Sequence, residues 1–175
     1  MDDKIRLERW DADRWDEVAH INDLVYPPEN PITQIWRQVD WSHAEQRVVV
    51  SVAGQPVCHV GLYLRRGTAN GAPAYIAGIG GVMTHPAHQK RHYATQALAR
   101  ANELATNAGA QFGLLVCEPK NIPFYEKLGW RVFPGEVMHE QGGVSRPWTL
   151  SPTMMRAIAG AAPEGGTIDL CGKPW

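Results

Sequence analysis

Apolar residues recur along this chain with two different periods, and the switches between them mark the elements. Ile5 to Trp10 alternates like a short strand, and Asp11 or Asp13 is placed to cap a helix running to about Val25, with Trp15, Val18, Ile21 and Val25 on one face. Tyr26-Pro27-Pro28-Glu29 ends that helix. Asn30-Pro31 then reads as an N-cap followed by proline in the first turn, which predicts a second helix carrying Ile32, Ile35, Trp36 and Val39. From Arg47 the pattern turns to β-branched runs: Val48 to Val52, a turn at Ala53-Gly54-Gln55, and Val57 to Leu64 predict a hairpin. Tyr75 to Thr84 predicts a third strand, in which Gly78, Gly80 and Gly81 point to a bulge or a close approach by a ligand.

The helical period is clearest after Pro86, where Ala94, Ala97, Leu98, Ala101, Leu104, Ala105 and Ala108 form one stripe that Gly109 can end. Phe112 to Cys117 predicts a buried strand, Ile122 to Leu128 a brief helix closed by Gly129, and Arg131 to Phe133 another strand. Beyond Pro134 the expectation is a helix around Thr153 to Ala159 and a final strand Thr167 to Leu170. Strands on both sides of packed helices imply an α/β (α+β) layer on a mixed, mostly antiparallel central sheet. With 175 residues, no repeat and no dividing linker, residues 1–175 are expected to form one domain. The third strand runs through the polar loop His85 to His92 into the alanine-rich helix. A helix start offers unpartnered N–H groups and partial positive charge, so that turn suits a phosphate.

Composition narrows the partners. The 17 basic and 18 acidic residues leave a formal charge of −1, and the basic residues do not cluster beyond Lys90-Arg91, so nucleic acid is not expected. No long apolar run and no apolar leader after Met1 are present, so neither a membrane partner nor export is expected and the expected location is cytoplasmic. Cys58, Cys117 and Cys171 are widely spaced and read as free thiols. His85, His88 and His92 invite a metal reading, but Pro86 and the loop-to-helix transition keep them off a shared face, so no metal is expected.

Gln89-Lys90-Arg91-His92-Tyr93-Ala94, between strand and helix, resembles the acetyl-CoA signature of the GNAT superfamily of N-acetyltransferases, Arg/Gln-x-x-Gly-x-Gly/Ala. The segment Asn121-Ile122-Pro123-Phe124-Tyr125-Glu126-Lys127-Leu128-Gly129-Trp130 is similar to the family's second signature. The resemblance spans about Ile5 to Phe133 and implies a GNAT fold and an acetyl-CoA-dependent transfer to a primary amine of a small molecule. It implies CoA contacts from Val82, Met83 and Thr84 along the pantetheine arm, from Gln89, Lys90, Arg91, His92, Tyr93 and Ala94 at the pyrophosphate, and from Asn121. It also implies that Tyr125 protonates the departing thiolate. His92 stands where the family has its first glycine, which predicts a CoA affinity that is weakened or sensitive to pH. The glutamate that many members carry on the preceding strand is absent, leaving water, a backbone carbonyl, His59, His85 or Glu118 as candidate base.

Gly54 to Arg66 and the terminal Gly172-Lys173-Pro174-Trp175 resemble, more narrowly, the aminoglycoside 2′-N-acetyltransferases, in which the final tryptophan carboxylate faces a cationic substrate; nodulation acyltransferases look similar around His59 to Arg66. Lys173 replaces an acidic residue of that pattern and would repel a polycation. The acceptor site is expected from Tyr26, Glu29, Trp36, Asp40 and Trp175, aromatic walls with one or two carboxylates. A non-catalytic acyl-CoA sensor and a transferase of longer acyl groups are the rival readings. The final strand could also pair across a homodimer.

Overall fold

The computed structural model describes residues 5–175; Met1 to Lys4 and the side chains of Asp11, Ala12 and Asp13 lie outside the described set. Ten strands form one mixed sheet: β1 (Ile5–Asp11), β2 (Gln46–Val52), β3 (Gln55–Ala69), β4 (Ala72–Thr84), β5 (Phe112–Val116), β6 (Arg131–Val132), β7 (Glu136–Gln141), β8 (Val144–Pro147), β9 (Thr153–Ala157) and β10 (Thr167–Asp169). Helices α1 (Ala19–Val25), α2 (Pro31–Trp36), α3 (Tyr93–Asn107) and α4 (Ile122–Glu126) flank it.

The 15-residue β3 is the spine. Its first half pairs with β2 and its end with β10, while β4 runs antiparallel along its other edge. The order continues β4-β5-β9-β6, and among the described residues only the β4–β5 and β10–β7 pairs are parallel. The sheet is therefore mixed and mostly antiparallel, as expected.

The alanine stripe of α3 explains how it docks. Ala97, Leu98, Ala101 and Ala105 are buried, and their small side chains let the helix lie close over Val48, Val50, Val60 and Leu62 of β2 and β3. Gly109, at φ +79°, ends the helix as anticipated. On the other face Val18 and Ile21 are fully buried against Val49 and Met83. Among the described residues no helix is long and apolar enough to cross a membrane.

Three local expectations need correction. The first helix does not run from an aspartate cap: Asp11 ends β1, residues 12–17 form a 3₁₀ turn interrupted at Arg14 (φ −93°, ψ 25°), and α1 begins after Val18 with no side-chain cap. The helix expected at Thr153 to Ala159 is strand β9, paired with β5 and β6. Thr153, Met154 and Met155 are buried consecutively, and a strand covered on both faces has no alternation to show. The hairpin β7–β8 was not anticipated, although Gly142 and Gly143, at φ +58° and +77°, supply the two-residue left-handed turn that tight hairpins favour.

Candidate active site

β4 and β5 pair only from Ile76–Phe112 to Ile79–Leu115. Past that point the strands separate, so from Gly80 to Thr84 the β5-facing edge of β4 carries no strand among the described residues. Opposite β3 the register shifts between His59 and Gly61, with Gly81 at φ +55°, and this is the bulge that the glycines announced. His59 pins it. Burial drives the imidazole pKa down to about 4, so the ring is neutral. The Gly81 carbonyl can only accept and the Arg47 guanidinium can only donate, which fixes the proton on Nδ1. Nδ1–H donates to the Gly81 oxygen at 2.7 Å, and Nε2 accepts from Arg47 at 3.0 Å. With both nitrogens engaged, His59 holds the backbone and is not free to act as a base.

β4 leads through residues 85–92 into α3. His85 Nδ1 accepts from the Ala87 N–H at 3.2 Å, capping a 3₁₀ turn, so this second candidate base serves the loop and lies outside the cavity described below. Lys90 and His92 are both left-handed, at φ 62° and 61°. His92 therefore keeps the conformation for which glycine is the usual residue, at a cost of about 1 kcal/mol for a residue with a Cβ. No side chain caps α3, and its first backbone acceptor is the His92 carbonyl, reached by Gln96. The N–H groups that open the helix are left without intrahelical partners. Gln89, Lys90, Arg91 and His92 are exposed around this turn, and buried Tyr93 anchors it from below. These features fit the pyrophosphate of a nucleotide coenzyme.

A cavity of about 420 Å³ opens where β4 and β5 part. It brings together Val82, Asn121, Tyr125, Tyr26, Trp36 and Trp175 from the sequence-derived set. Tyr125 is buried, and burial raises its pKa far above the usual phenol value, so it stays protonated. Burial likewise pushes Tyr26 up to about 12. Met83, next to Val82, faces the opposite side of the sheet, where its side chain packs near Ile21. Glu29 and Asp40 are exposed and outside the lining; Asp40 instead pairs with Lys173 at 2.8 Å. Glu118, beyond β5, is the one carboxylate residue in the lining among the described residues, and it pairs with Lys120 at 2.9 Å. His85, His88 and His92 form no metal-ligating cluster, and none is found among the described residues.

Residues 6–133 match the acetyltransferase (GNAT) domain family. The chain belongs to the GNAT family. The sequence matches no curated protein. Among solved structures with the same fold, a GNAT family acetyltransferase from Brucella melitensis in complex with acetyl-CoA is 15% identical, with a TM-score of 0.63 and coverage of 93% of each chain. The GNAT N-acetyltransferase YhbS from Escherichia coli, in complex with CoA, is 10% identical, with a TM-score of 0.65, covering 97% of this chain and 91% of that one. A GCN5-related N-acetyltransferase from Kribbella flavida is 17% identical with a TM-score of 0.59 over 77% of this chain, which spans only 34% of that longer protein. The matches carry the family and not the narrower aminoglycoside resemblance.

Within the GNAT frame this chain fills the middle of β4 in its own way. A Cβ on Gly78 would collide with the Trp175 indole, and one on Gly80 would reach its backbone. The glycines that suggested ligand approach thus admit the chain's own tryptophan. Trp175 Nε1 donates to the Leu114 carbonyl at 2.9 Å, and its ring stacks on Tyr63 at 5.9 Å and 23°. Trp41, Tyr63, Arg47 and Thr33 also line the cavity and were not singled out in the sequence. Tyr63 lay inside the Gly54 to Arg66 resemblance, whereas Trp41, Arg47 and Thr33 carried no motif that set them apart.

Proposed function

We propose that this GNAT domain, working as one unit over residues 1–175, transfers an acetyl group from acetyl-CoA to a primary amine of a small molecule by direct attack in a ternary complex. One observation carries the reading: Gly80 to Val82 on the open edge of β4 and Tyr125 line one cavity, and the same strand runs on into the uncapped start of α3. Backbone N–H groups of Lys90 to Ala94 hold the pyrophosphate, with Gln89 closing the loop through Nε2 to the Thr84 carbonyl at 3.4 Å. The backbone of Val82, Met83 and Thr84 guides the pantetheine arm, and Asn121 lies beside it.

The amine lone pair attacks the thioester carbonyl carbon, forming the N–C bond and a tetrahedral oxyanion. A backbone N–H at the Gly81 bulge, held in place by His59, stabilises that charge. The C–S bond then breaks with its electron pair on sulfur. Tyr125 donates its proton to the sulfur, Glu118 takes the proton from the attacking nitrogen, and a water relays that proton from Glu118 to the tyrosinate, so both side chains end as they began. The products are the acetamide and free CoA thiol.

Incubation with acetyl-CoA and a mixture of primary amines should release thiol and yield amines heavier by one acetyl group. Binding of coenzyme with no thiol release for any amine would favour the non-catalytic sensor, a reading supported by the lack of a carboxylate on the splayed end of β4. Faster release from longer acyl-CoA would favour the longer-chain transferase.

A further inference from the structure

The acceptor half of the cavity has a composition that restricts its ligand. Tyr26 meets Trp36 edge-on with ring centres 5.6 Å apart, and Trp36 meets Trp41 at 6.4 Å and 86°. The Tyr63–Trp175 stack lines the same cavity. The indole N–H of Trp41 is tied to the Trp36 carbonyl at 2.8 Å and that of Trp175 to Leu114, so these two rings are fixed, while the buried Nε1 of Trp36 has no partner among the described residues. Rigid aromatic walls hold flat apolar groups at little entropic cost.

The charges point the same way. The lining holds the guanidinium of Arg37 and, as its one acidic side chain among the described residues, Glu118. One carboxylate can receive one ammonium. A second or third ammonium on the same molecule would find no further acidic side chain in the lining among the described residues and would meet the Arg37 guanidinium. Size adds a limit. A flat six-membered ring occupies a cavity of about 150 Å³. The 420 Å³ here must also admit the acetyl thioester, which leaves room inside the cavity for one or two fused rings.

We infer that the acceptor is a small monoamine on a flat aromatic body, of the arylalkylamine type, and that Trp36 and Trp41 determine this preference. The inference rests on the acetyltransferase reading above.

The test measures CoA binding by calorimetry and thiol release from acetyl-CoA with phenethylamine, tryptamine, spermidine and kanamycin. The expected result is coenzyme binding and a kcat/KM for the two arylalkylamines at least about 100-fold above that for either polycation. Trp36→Ala should raise KM for tryptamine about 10-fold or more with the CoA Kd unchanged, and Trp36→Phe should recover most of it. Equal or better use of spermidine or kanamycin, or an unchanged tryptamine KM in folded Trp36→Ala, would overturn the acceptor class and leave the transferase standing. Coenzyme binding with no turnover of any of the four amines would also overturn it. No binding of CoA at all would instead overturn the reading beneath it.

Discussion

The indole of Trp175 lies against Gly78 so closely that a methyl group on that glycine would overlap the ring. Gly78 is therefore fixed by a side chain nearly a hundred residues away in sequence, and the acceptor wall depends on it. Gly78→Ala should cost roughly 1–3 kcal/mol through overpacking. It should also raise the KM for the amine while the CoA Kd stays constant. Urea unfolding together with steady-state kinetics checks both, and an unperturbed amine KM would show that Trp175 does not shape the acceptor site.

Tyr125 is the proposed acid, and its elevated pKa keeps it protonated through neutral and mildly alkaline pH. Tyr125→Phe should lower kcat by about 10²- to 10⁴-fold. The CoA Kd should change little, because the ring and its packing against Trp130 remain. A kcat within a factor of two of the parent would remove Tyr125 from the proton path.

His92 adopts left-handed geometry at the start of α3. His92→Gly should relieve that conformation and stabilise the fold by about 0.5–1 kcal/mol. It should also tighten CoA binding by a few-fold, as the Cβ leaves the anion-binding turn. Thermal unfolding and calorimetry measure the two effects; weaker CoA binding in the glycine variant would assign the imidazole a direct role at the phosphate.

His59 links pH to stability. The unfolded chain takes up a proton at the ordinary value of 6.5, whereas the folded imidazole resists down to about 4. Its contribution is thus complete above pH 6.5 and is lost as the pH falls toward 4. The loss at pH 5 is about 2 kcal/mol, and His59→Gln should lack it. Denaturant unfolding of both proteins at pH 8 and pH 5 tests this, and identical pH slopes would place the titration elsewhere.

Much of this was legible in the sequence because the strongest signals were local. The alanine stripe of α3, the Asn30-Pro31 helix start and the glycine-marked bulge in β4 all depend on residues near one another. The same holds for the proposed coenzyme side, built from one strand, one turn and one helix end. The acceptor side was less legible because it is assembled from distant parts. Trp41, Tyr63, Arg47 and Trp175 meet only when β2, β3, the segment after α2 and the last residues converge. Glu29 and Asp40 had suitable chemistry but sit on the outer side, where Asp40 meets Lys173. β9 was mistaken for a helix because burial on both faces erased its period.

The central claim is that the turn from β4 into α3 is the seat of a CoA pyrophosphate, and it is tested most directly by titrating the protein with CoA while following amide hydrogen exchange. Saturable heat with slowed exchange at Lys90 to Ala94 and along Val82 to Thr84 is the predicted result. No heat at millimolar CoA, with exchange unchanged in both segments, would contradict it.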